Sequence, residues 1–478
     1  MENNPPILRR CSLIPVEGGA LTEEYDITRG VIAIDYYESL ESPSISMTIT
    51  FIDVDQVIGR EGITGGEYIE VTVKPVDSDE FKITKKDHKM MLNSVRNMTT
   101  ESNKQVATLE FVSVETIVNE TARVNRRFTG NITQIVKELL KDEKGVQTNK
   151  NLDSDDATNS YTFIGNLKRP FDTIQWLCPK AQASKDSFGF LFYETIEGYH
   201  FRSIQSLLEQ EPIPYQQSDR PIEGNKILQN NLNQTNDIGM NCRMGMYANK
   251  TIYIDIEEQT TEVVDYKIEE LKLKKSPTLP SKLDTFPTRL MLRVDDVGVA
   301  QVGAAKSDVQ PKSELAKYQN KSYIRNNLLF SQSLSISIPL NINLQAGFVI
   351  EVKFPLKNED GSSSTDKYGN EKTDDPSGRY LISQLRHLMA GFLIEVKFPL
   401  KDEDGSSSTD KYGNEKTDDP SGRYLISQLR HLMAGGRAET QLTLIRDVFI
   451  PNKDGLTDTK DLIKADNRQY GNTFPAFR

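Results

Sequence analysis

The residue types that most often carry out catalysis or bind metal ions are sparse in this chain. The four histidines and three cysteines are His88, His200, His387, His431, Cys11, Cys178 and Cys242. No two histidines stand in a HExxH or HxH spacing and no two cysteines form a CxxC pair, so neither a histidine nor a thiolate metal site is predicted. The odd number of widely spaced cysteines argues against a disulfide framework and favours a reducing compartment.

Two further patterns could bind a ligand. The glycine-rich stretch Gly59–Gly66 (GREGITGG) lacks the strand and helix that flank a dinucleotide-binding loop, so we interpret it as a turn. The acidic turns NEDG (358–361), DEDG (402–405) and NKDG (452–455) offer oxygen ligands for calcium, but none completes an EF-hand spacing. The chain also lacks a Gly-x-Ser-x-Gly elbow and a P-loop. We therefore predict no enzyme, no metal site and no cofactor.

Composition excludes further classes of protein. The 478 residues include 58 Lys and Arg against 69 Asp and Glu, a net charge of −11. A sequence-independent grip on nucleic acid needs clustered positive charge, which an acidic chain of this kind does not provide. No run of eighteen apolar residues occurs, so no membrane-spanning segment is predicted, and the first residues lack a signal-peptide pattern. The length allows two to four domains.

The first region of the chain, residues 1–116, is predicted to be rich in β-strands. In the stretch SISMTITFID (44–53), apolar and polar residues alternate, which predicts a half-buried strand. A hairpin follows, with its turn at Glu101–Lys104. Five or six strands without a helix between them favour a small barrel or a sandwich.

Residues 117–185 are predicted to form a helical insert. One helix follows Asn131, which has Gln134 three residues on as in a capping box, and a second begins at Pro170. Trp176, the only tryptophan, lies in the second helix and is predicted to belong to the core rather than to a stacking surface.

Sheet returns after the insert. Residues 186–257 should contain hairpins, one of which turns near Glu194–Gly198, and the first part of a second β region. Residues 258–324 are predicted to be a connector with a helix from Pro311, residues 325–449 the rest of the second β region, and residues 450–478 a C-terminal arm.

A tandem repeat of 44 residues lies within the second β region. Gly347–Ala390 and Gly391–Ala434 differ at only two positions, Val349/Leu393 and Asn358/Asp402, which indicates a recent duplication or an error in the assembled sequence. Each copy reads as strand, long polar loop, strand. Two added strands would change the diameter of a barrel, so only one pair should fit.

Two arrangements of the repeat are consistent with this limit. In the first, SLSISIPL (333–340) pairs with the first strand of copy one, and the second strand of copy two pairs with AETQLTLIRDVF (438–449). The two strands between them would then form an extra hairpin. In the second arrangement, one whole copy lies in the barrel and the other is looped out.

Several blocks, taken in order, resemble the baseplate hub proteins of contractile-tailed bacteriophages of the T-even-like and cyanophage type. The blocks are FDTIQWLCPKA, GFLFYETIEGYHFRSI, MGMYANKTIYIDI, LFSQSLSISIPLNINLQAGFVIEVKFPL, SGRYLISQLRHLM and ETQLTLIRDVF. The chain departs from the family pattern at Cys178-Pro179 and in the duplication. The resemblance implies a mainly β (α+β) fold, with two related antiparallel β-barrel domains and inserted α-rich and small connecting domains.

The resemblance also implies a structural role in the virion tail baseplate, assembled in the host cytoplasm. Hubs of this family form homotrimers whose six barrels adapt the sixfold tail tube to a threefold spike. The expected partners are other copies of the chain, tail-tube or tube-initiator proteins and a separate central spike protein. DNA would pass through the ring without being bound specifically.

The C-terminal arm supplies the candidate partner-binding residues, Phe474, Phe477 and Arg478, whose aromatic rings could dock on another protein. Two alternatives remain open from the sequence. One is the hub-like part of a type VI secretion spike, and the other is a β-rich cell-wall hydrolase.

Overall fold

The computed structural model describes fifteen stretches of the chain. They are residues 6–74, 80–84, 88–101, 104–184, 187–217, 225–234, 237–255, 259–268, 283, 285–295, 312–354, 378–390, 393–396, 422–425 and 437–446. Strands dominate these stretches, and helices are few and mostly short, which confirms the prediction of a mainly β chain with helical insertions.

The N-terminal region forms eight strands. They are β1 (Ile7–Ile14), β2 (Tyr25–Asp26), β3 (Val31–Ser39), β4 (Ser46–Asp53), β5 (Tyr68–Lys74), β6 (Phe81–Ile83), β7 (Met90–Glu101) and β8 (Lys104–Ser113). Alternation in β4 buries Met47, Ile49 and Phe51, as predicted. The β7–β8 hairpin turns where the sequence placed it. The glycine-rich stretch Gly59–Gly66 is only partly a turn, because its first three residues belong to helix α1 (Val57–Glu61), which is capped by Gly62 with a φ of 71°.

The insert contains the two predicted helices. They are α3 (Ile132–Lys141) and α4 (Pro170–Leu177), and α2 (Val114–Thr121) precedes them. The Asn131 side chain caps α3 by accepting a hydrogen bond from the Thr133 N–H at 2.8 Å. Four short strands in the insert were not predicted: β9 (Arg127–Asn131), β10 (Asn151–Ser154), β11 (Ser160–Ile164) and β12 (Gln182–Ser184). The two-residue strand β13 (Ser187–Phe188) follows the insert, where sheet was predicted to return.

The rest of the described chain again consists mainly of strands. The elements are β14 (Phe190–Thr195), β15 (Gly198–Ser203), α5 (Ile204–Leu208), β16 (Ile213–Gln216), β17 (Gln229–Gln234), α6 (Ile238–Arg243), β18 (Ala248–Asp255), β19 (Thr260–Lys267), β20 (Arg289–Asp295), α7 (Lys312–Leu329), β21 (Gln332–Pro339), β22 (Val349–Lys353), β23 (Gly378–Ala390), β24 (Leu393–Val396), β25 (Gly422–Leu425) and β26 (Arg437–Arg446). The predicted β14–β15 hairpin and the helix of the connector, α7, are both present.

Two groups of six strands share one topology. We call β1, β3, β4, β5, β7 and β8 the N-terminal strand set, and β16, β17, β21, β22, β23 and β26 the C-terminal strand set. Numbered from one to six along the chain, the strands of each set lie in the order 2-3-6-5-4-1. Neighbours are antiparallel throughout, except that β16 and β22 are parallel. The chain therefore contains the same six-stranded arrangement twice.

The likeness of the two sets extends to the pairing register. In the fifth strand of the N-terminal set, the register against β8 shifts between Leu92 and Ser94. In the fifth strand of the C-terminal set, the register against β26 shifts between Ile382 and Gln384. Such bulges mark fixed positions in a sheet, so the two sets can be aligned residue by residue around them.

Glycines stand at matching positions beside these bulges. Gly66 donates its N–H to the carbonyl of Leu92, and Gly347 donates its N–H to the carbonyl of Ile382. Both glycines have positive φ, at 106° and 92°. At Gly347 a side chain would also collide with its surroundings, because an added Cβ would lie 2.2 Å from the Tyr193 hydroxyl.

The two sets join into one continuous sheet. Strand β3 of the N-terminal set pairs antiparallel with β23 of the C-terminal set, from Ser39↔Gln384 to Ala33↔Ala390. One hydrophobic core accordingly runs through both sets, while a separate core fills the insert. The domain boundaries given by the sequence remain predictions, because the sheet is continuous across the two sets.

The first copy of the repeat occupies the C-terminal strand set. Strands β22 and β23 come from that copy and pair with each other, and β23 pairs with β26. The second copy supplies β24 and β25, which pair with each other and contact β1 through Ile7↔Leu393. The mixed arrangement is therefore wrong in both its pairings, since β21 pairs with β17 and β26 rather than with β22. The alternative is right that one whole copy lies in the C-terminal strand set. It is wrong that the other copy is looped out, because β24 and β25 join the same sheet beside β1.

Candidate functional site

The junction between the two strand sets brings together residues that are far apart in sequence. Arg386 on β23 contacts Asp35 on β3, with both its Nε and its Nη2 2.9 Å from Oδ1. Beside this pair, the buried ring of His387 stacks on Tyr36 with 6.0 Å between centroids. Burial lowers the pKa of His387 to about 3, so this imidazole is neutral at physiological pH. The ion pair and the ring stack thus add side-chain contacts to the backbone pairing of this junction.

Glu38 ties the junction to two other parts of the chain. Its carboxylate is buried and accepts hydrogen bonds from the Tyr36 hydroxyl (2.9 Å), the Ile196 N–H (2.8 Å) and the Ala346 N–H (2.9 Å). Burial raises the pKa of Glu38 to about 7, although these three donors act in the opposite direction. No cation lies among these bonding partners, so donors alone hold the carboxylate.

Because the pKa of Glu38 is raised in the folded protein, we expect the free energy of unfolding to depend on pH. A carboxyl group with a raised folded pKa stabilises the fold below its unfolded pKa of about 4.5, and this contribution is lost as the pH rises toward 7. The loss across that window is about 3 kcal/mol. Glu38→Gln should remove this slope, at a fixed cost of about 1–3 kcal/mol because its amide N–H2 meets a backbone donor.

Urea unfolding of both proteins at pH 4.5 and pH 7 would measure the effect. The difference in unfolding free energy between wild type and Glu38→Gln should shrink as the pH rises. Glu194, whose pKa burial also raises, is present in both proteins and interacts with Glu38, so its own titration contributes to the pH dependence of each. A constant difference across the pH range would show that the three donors keep Glu38 ionised throughout.

A second buried cluster connects the N-terminal strand set to the insert and to the β14–β15 hairpin. The Lys150 ammonium donates to Glu115 (2.8 Å), to Ser113 (2.8 Å) and to Glu194, which is fully buried. Glu194 also accepts the Ile45 N–H at 3.0 Å. Because it binds two carboxylates from different segments, Lys150 holds three parts of the chain together.

The charges of this cluster depend on one another. Burial raises the pKa of Glu194 and opposes charge on all three groups. For Lys150 the two carboxylates outweigh burial and raise its pKa, and for Glu115 the ammonium and three hydrogen bonds outweigh burial and lower its pKa. Each charged group of this cluster is thus bonded to other groups of the protein.

A three-stranded sheet of order β19-β18-β20 presents an unusual surface. Strand β20 turns its arginines inward, where Arg293 donates to Gln319 of α7 at 2.7 Å. Its apolar residues Leu290, Leu292 and Val294 point outward and are 65%, 66% and 57% exposed. Period-two alternation has therefore placed the apolar side of β20 away from α7. Contiguous apolar surface of this kind typically marks a contact with another protein segment.

The structure locates only some of the residues that the sequence singled out. Phe474, Phe477 and Arg478 lie outside the described residues, as do His431 and the three acidic turns. Trp176 is only partly buried: it packs against the core of the insert rather than within it, and the Lys180 ammonium lies 3.5 Å from its ring centroid. Within the described part of the chain, no three His, Cys, Asp or Glu side chains are grouped so as to hold a metal ion. No helix there is long and apolar enough to span a bilayer.

The clusters around Glu38 and Lys150 were not found by sequence reasoning. Their members come from segments as far apart as residues 38 and 346, and each residue alone looks like an ordinary surface charge. The sequence offered only a weak signal, because Glu38 lies within the predicted β-rich region and Glu194 lies where a hairpin was predicted to turn.

Known protein-family models and curated protein sequences give no match to this chain. Solved structures of similar fold include a tail protein from Neisseria meningitidis MC58, at 11% identity and a TM-score of 0.48 over 93% of this chain and 98% of that one. The 43 kDa tail protein of prophage MuSo2 from Shewanella oneidensis has 8% identity and a TM-score of 0.47, over 92% and 98%. A component of the E. coli type VI secretion system has 12% identity and a TM-score of 0.38, over 89% and 74%. The structural neighbours of this chain are thus phage tail and type VI secretion proteins.

Proposed function

We propose that this chain is a structural protein of a phage tail, a central baseplate hub that assembles as a homotrimer. The observation that carries the proposal is the repeated topology, two strand sets of order 2-3-6-5-4-1 in one continuous sheet. Three copies of such a chain present six similar strand sets around a ring. A ring of this kind matches a sixfold tube on one face and a threefold spike on the other.

Other features support a structural role over a catalytic one. The two buried charge clusters are saturated by internal hydrogen bonds and connect segments of the chain, which is the arrangement expected of a rigid scaffold. The net charge of −11 would let DNA pass through a central channel without adhering to its wall. In this proposal the partners are tube or tube-initiator proteins and a separate spike, and the chain has no enzymatic activity of its own.

The native mass of the purified chain tests the proposal. We expect a species of three times the chain mass in light scattering after size exclusion, with threefold symmetry in negative-stain averages. The same preparation should leave peptidoglycan intact. A stable monomer that cleaves peptidoglycan would overturn the proposal in favour of a cell-wall hydrolase.

A further inference from the structure

The junction between β3 and β23 joins the second strand of the N-terminal set to the fifth strand of the C-terminal set. The equivalent pairing in the opposite sense does not occur among the described strands. The reverse combination is the second strand of the C-terminal set, β17, and the fifth strand of the N-terminal set, β7. Among the described residues β17 pairs only with β21, and β7 beyond Leu92 pairs only with β8. Both strands therefore present an open edge where their equivalents are paired.

The side chains along these edges also correspond. Aligned on the bulges of the two fifth strands, Arg96 on β7 takes the place of Arg386. Aligned through their partners on β4 and β21, Asn231 on β17 takes the place of Asp35. Arg96 pairs with Glu110 at 2.9 Å but is 60% exposed, and Asn231 donates to Asn233 but is also exposed, so both lie where another molecule can contact them. Where the internal junction has the ion pair of Arg386 with Asp35, the two open edges therefore have Arg96 and Asn231, a cation and an amide.

The edge of β17 carries none of the usual protection against pairing. Natural edge strands are blunted by charges, prolines or a covering segment. Strand β17 (QNNLNQ) contains neither charge nor proline, and its Leu232 is 40% exposed. An unprotected edge of this kind is suited to pairing with another strand.

We propose that β17 of one copy pairs antiparallel with β7 of the next copy and so reproduces the internal junction between molecules. Residues 229–234 would lie against residues 94–101, with Arg96 opposite Gln234 as Arg386 lies opposite Tyr37. The inference rests on the proposed assembly of the chain with itself and names the surface that builds it. Internal and intermolecular junctions then alternate around the ring, and its closure leaves neither edge open.

Cysteine cross-linking in the full-length chain tests this register. On a Cys242→Ser background, which leaves only the buried Cys11 and Cys178, Arg96→Cys is combined with Gln234→Cys. Mild oxidation should give covalent oligomers that end at the trimer on a non-reducing gel. The matched control combines Arg96→Cys with Gln229→Cys, five residues along β17 and therefore about 16 Å away, too far for a disulfide.

A surface variant provides a second measurement that does not depend on cysteine chemistry. Asn231→Arg places a positive charge against Arg96 of the next copy and should weaken self-association about tenfold in light scattering. A trimer that neither cross-links through residues 96 and 234 nor responds to Asn231→Arg would overturn this edge pairing while leaving the proposed hub intact. A monomeric wild-type chain would overturn both.

Discussion

Proline at both Leu385 and Leu429 will prevent the C-terminal strand set from forming, whereas proline at either position alone will be tolerated. Leu385 lies on β23, buried between its partners on β3 and β26. Proline there removes a backbone donor from a central strand, which costs about 3 kcal/mol or more. Leu429 is the equivalent residue of the second copy, 44 positions later.

Each single variant should still fold, because the unmutated copy of the repeat can take the position of the mutated copy in the sheet. Residues 424–434 repeat residues 380–390 without a difference, so the second copy can supply the same strand. Exchange moves the surplus 44 residues from after β23 to before β22, and the cost of closing a loop changes little with its position or length. The main penalty is Leu393 in place of the buried Val349, about 1–3 kcal/mol of overpacking.

Unfolding midpoints and native mass of four proteins would test this expectation: wild type, each single variant and the double variant. Leu429→Pro should match wild type, Leu385→Pro should lose about 1–3 kcal/mol, and the double variant should lose the cooperative transition. If Leu385→Pro alone were as damaged as the double variant, the second copy could not replace the first. If Leu429→Pro alone were unstable, the second copy rather than the first would supply the strands of the C-terminal strand set in the wild-type protein.

Replacing Lys150 with Met will destabilise the protein by about 3–5 kcal/mol at neutral pH, because Glu194 is then left buried without its cation. Chemical denaturation followed by intrinsic fluorescence, to which Trp176 contributes, would report the loss. The loss should be smaller at pH 5, since protonation removes the uncompensated charge on Glu194, whose pKa burial already raises.

The control for this substitution is Lys250→Met. Lys250 pairs with Asp265 at 3.2 Å, but both side chains are substantially exposed, so its loss should cost less than about 1 kcal/mol. Adding Glu194→Gln to Lys150→Met should recover part of the stability. Equal losses for the two lysines would mean that the cluster around Lys150 contributes no more than a surface ion pair.

Local patterns were sufficient to predict most elements of this fold. The alternation in β4, the turn of the β7–β8 hairpin, the cap of α3 at Asn131 and the start of α4 at Pro170 each depend on a few consecutive residues. The short strands of the insert were missed, because three to five residues do not establish a period. The partner-binding role of Phe474, Phe477 and Arg478 stays a prediction.

The sequence by itself determined the longer strands and helices, that the chain is acidic, and that one of the duplicated strand pairs is surplus. Only the tertiary structure decided which copy is in place, because two nearly identical segments carry the same local preferences. It also decided that β3 pairs with β23 and that Glu38 meets Ala346, more than 300 residues away. Pairing between distant strands depends on shape and burial in the assembled sheet, and no local pattern records it.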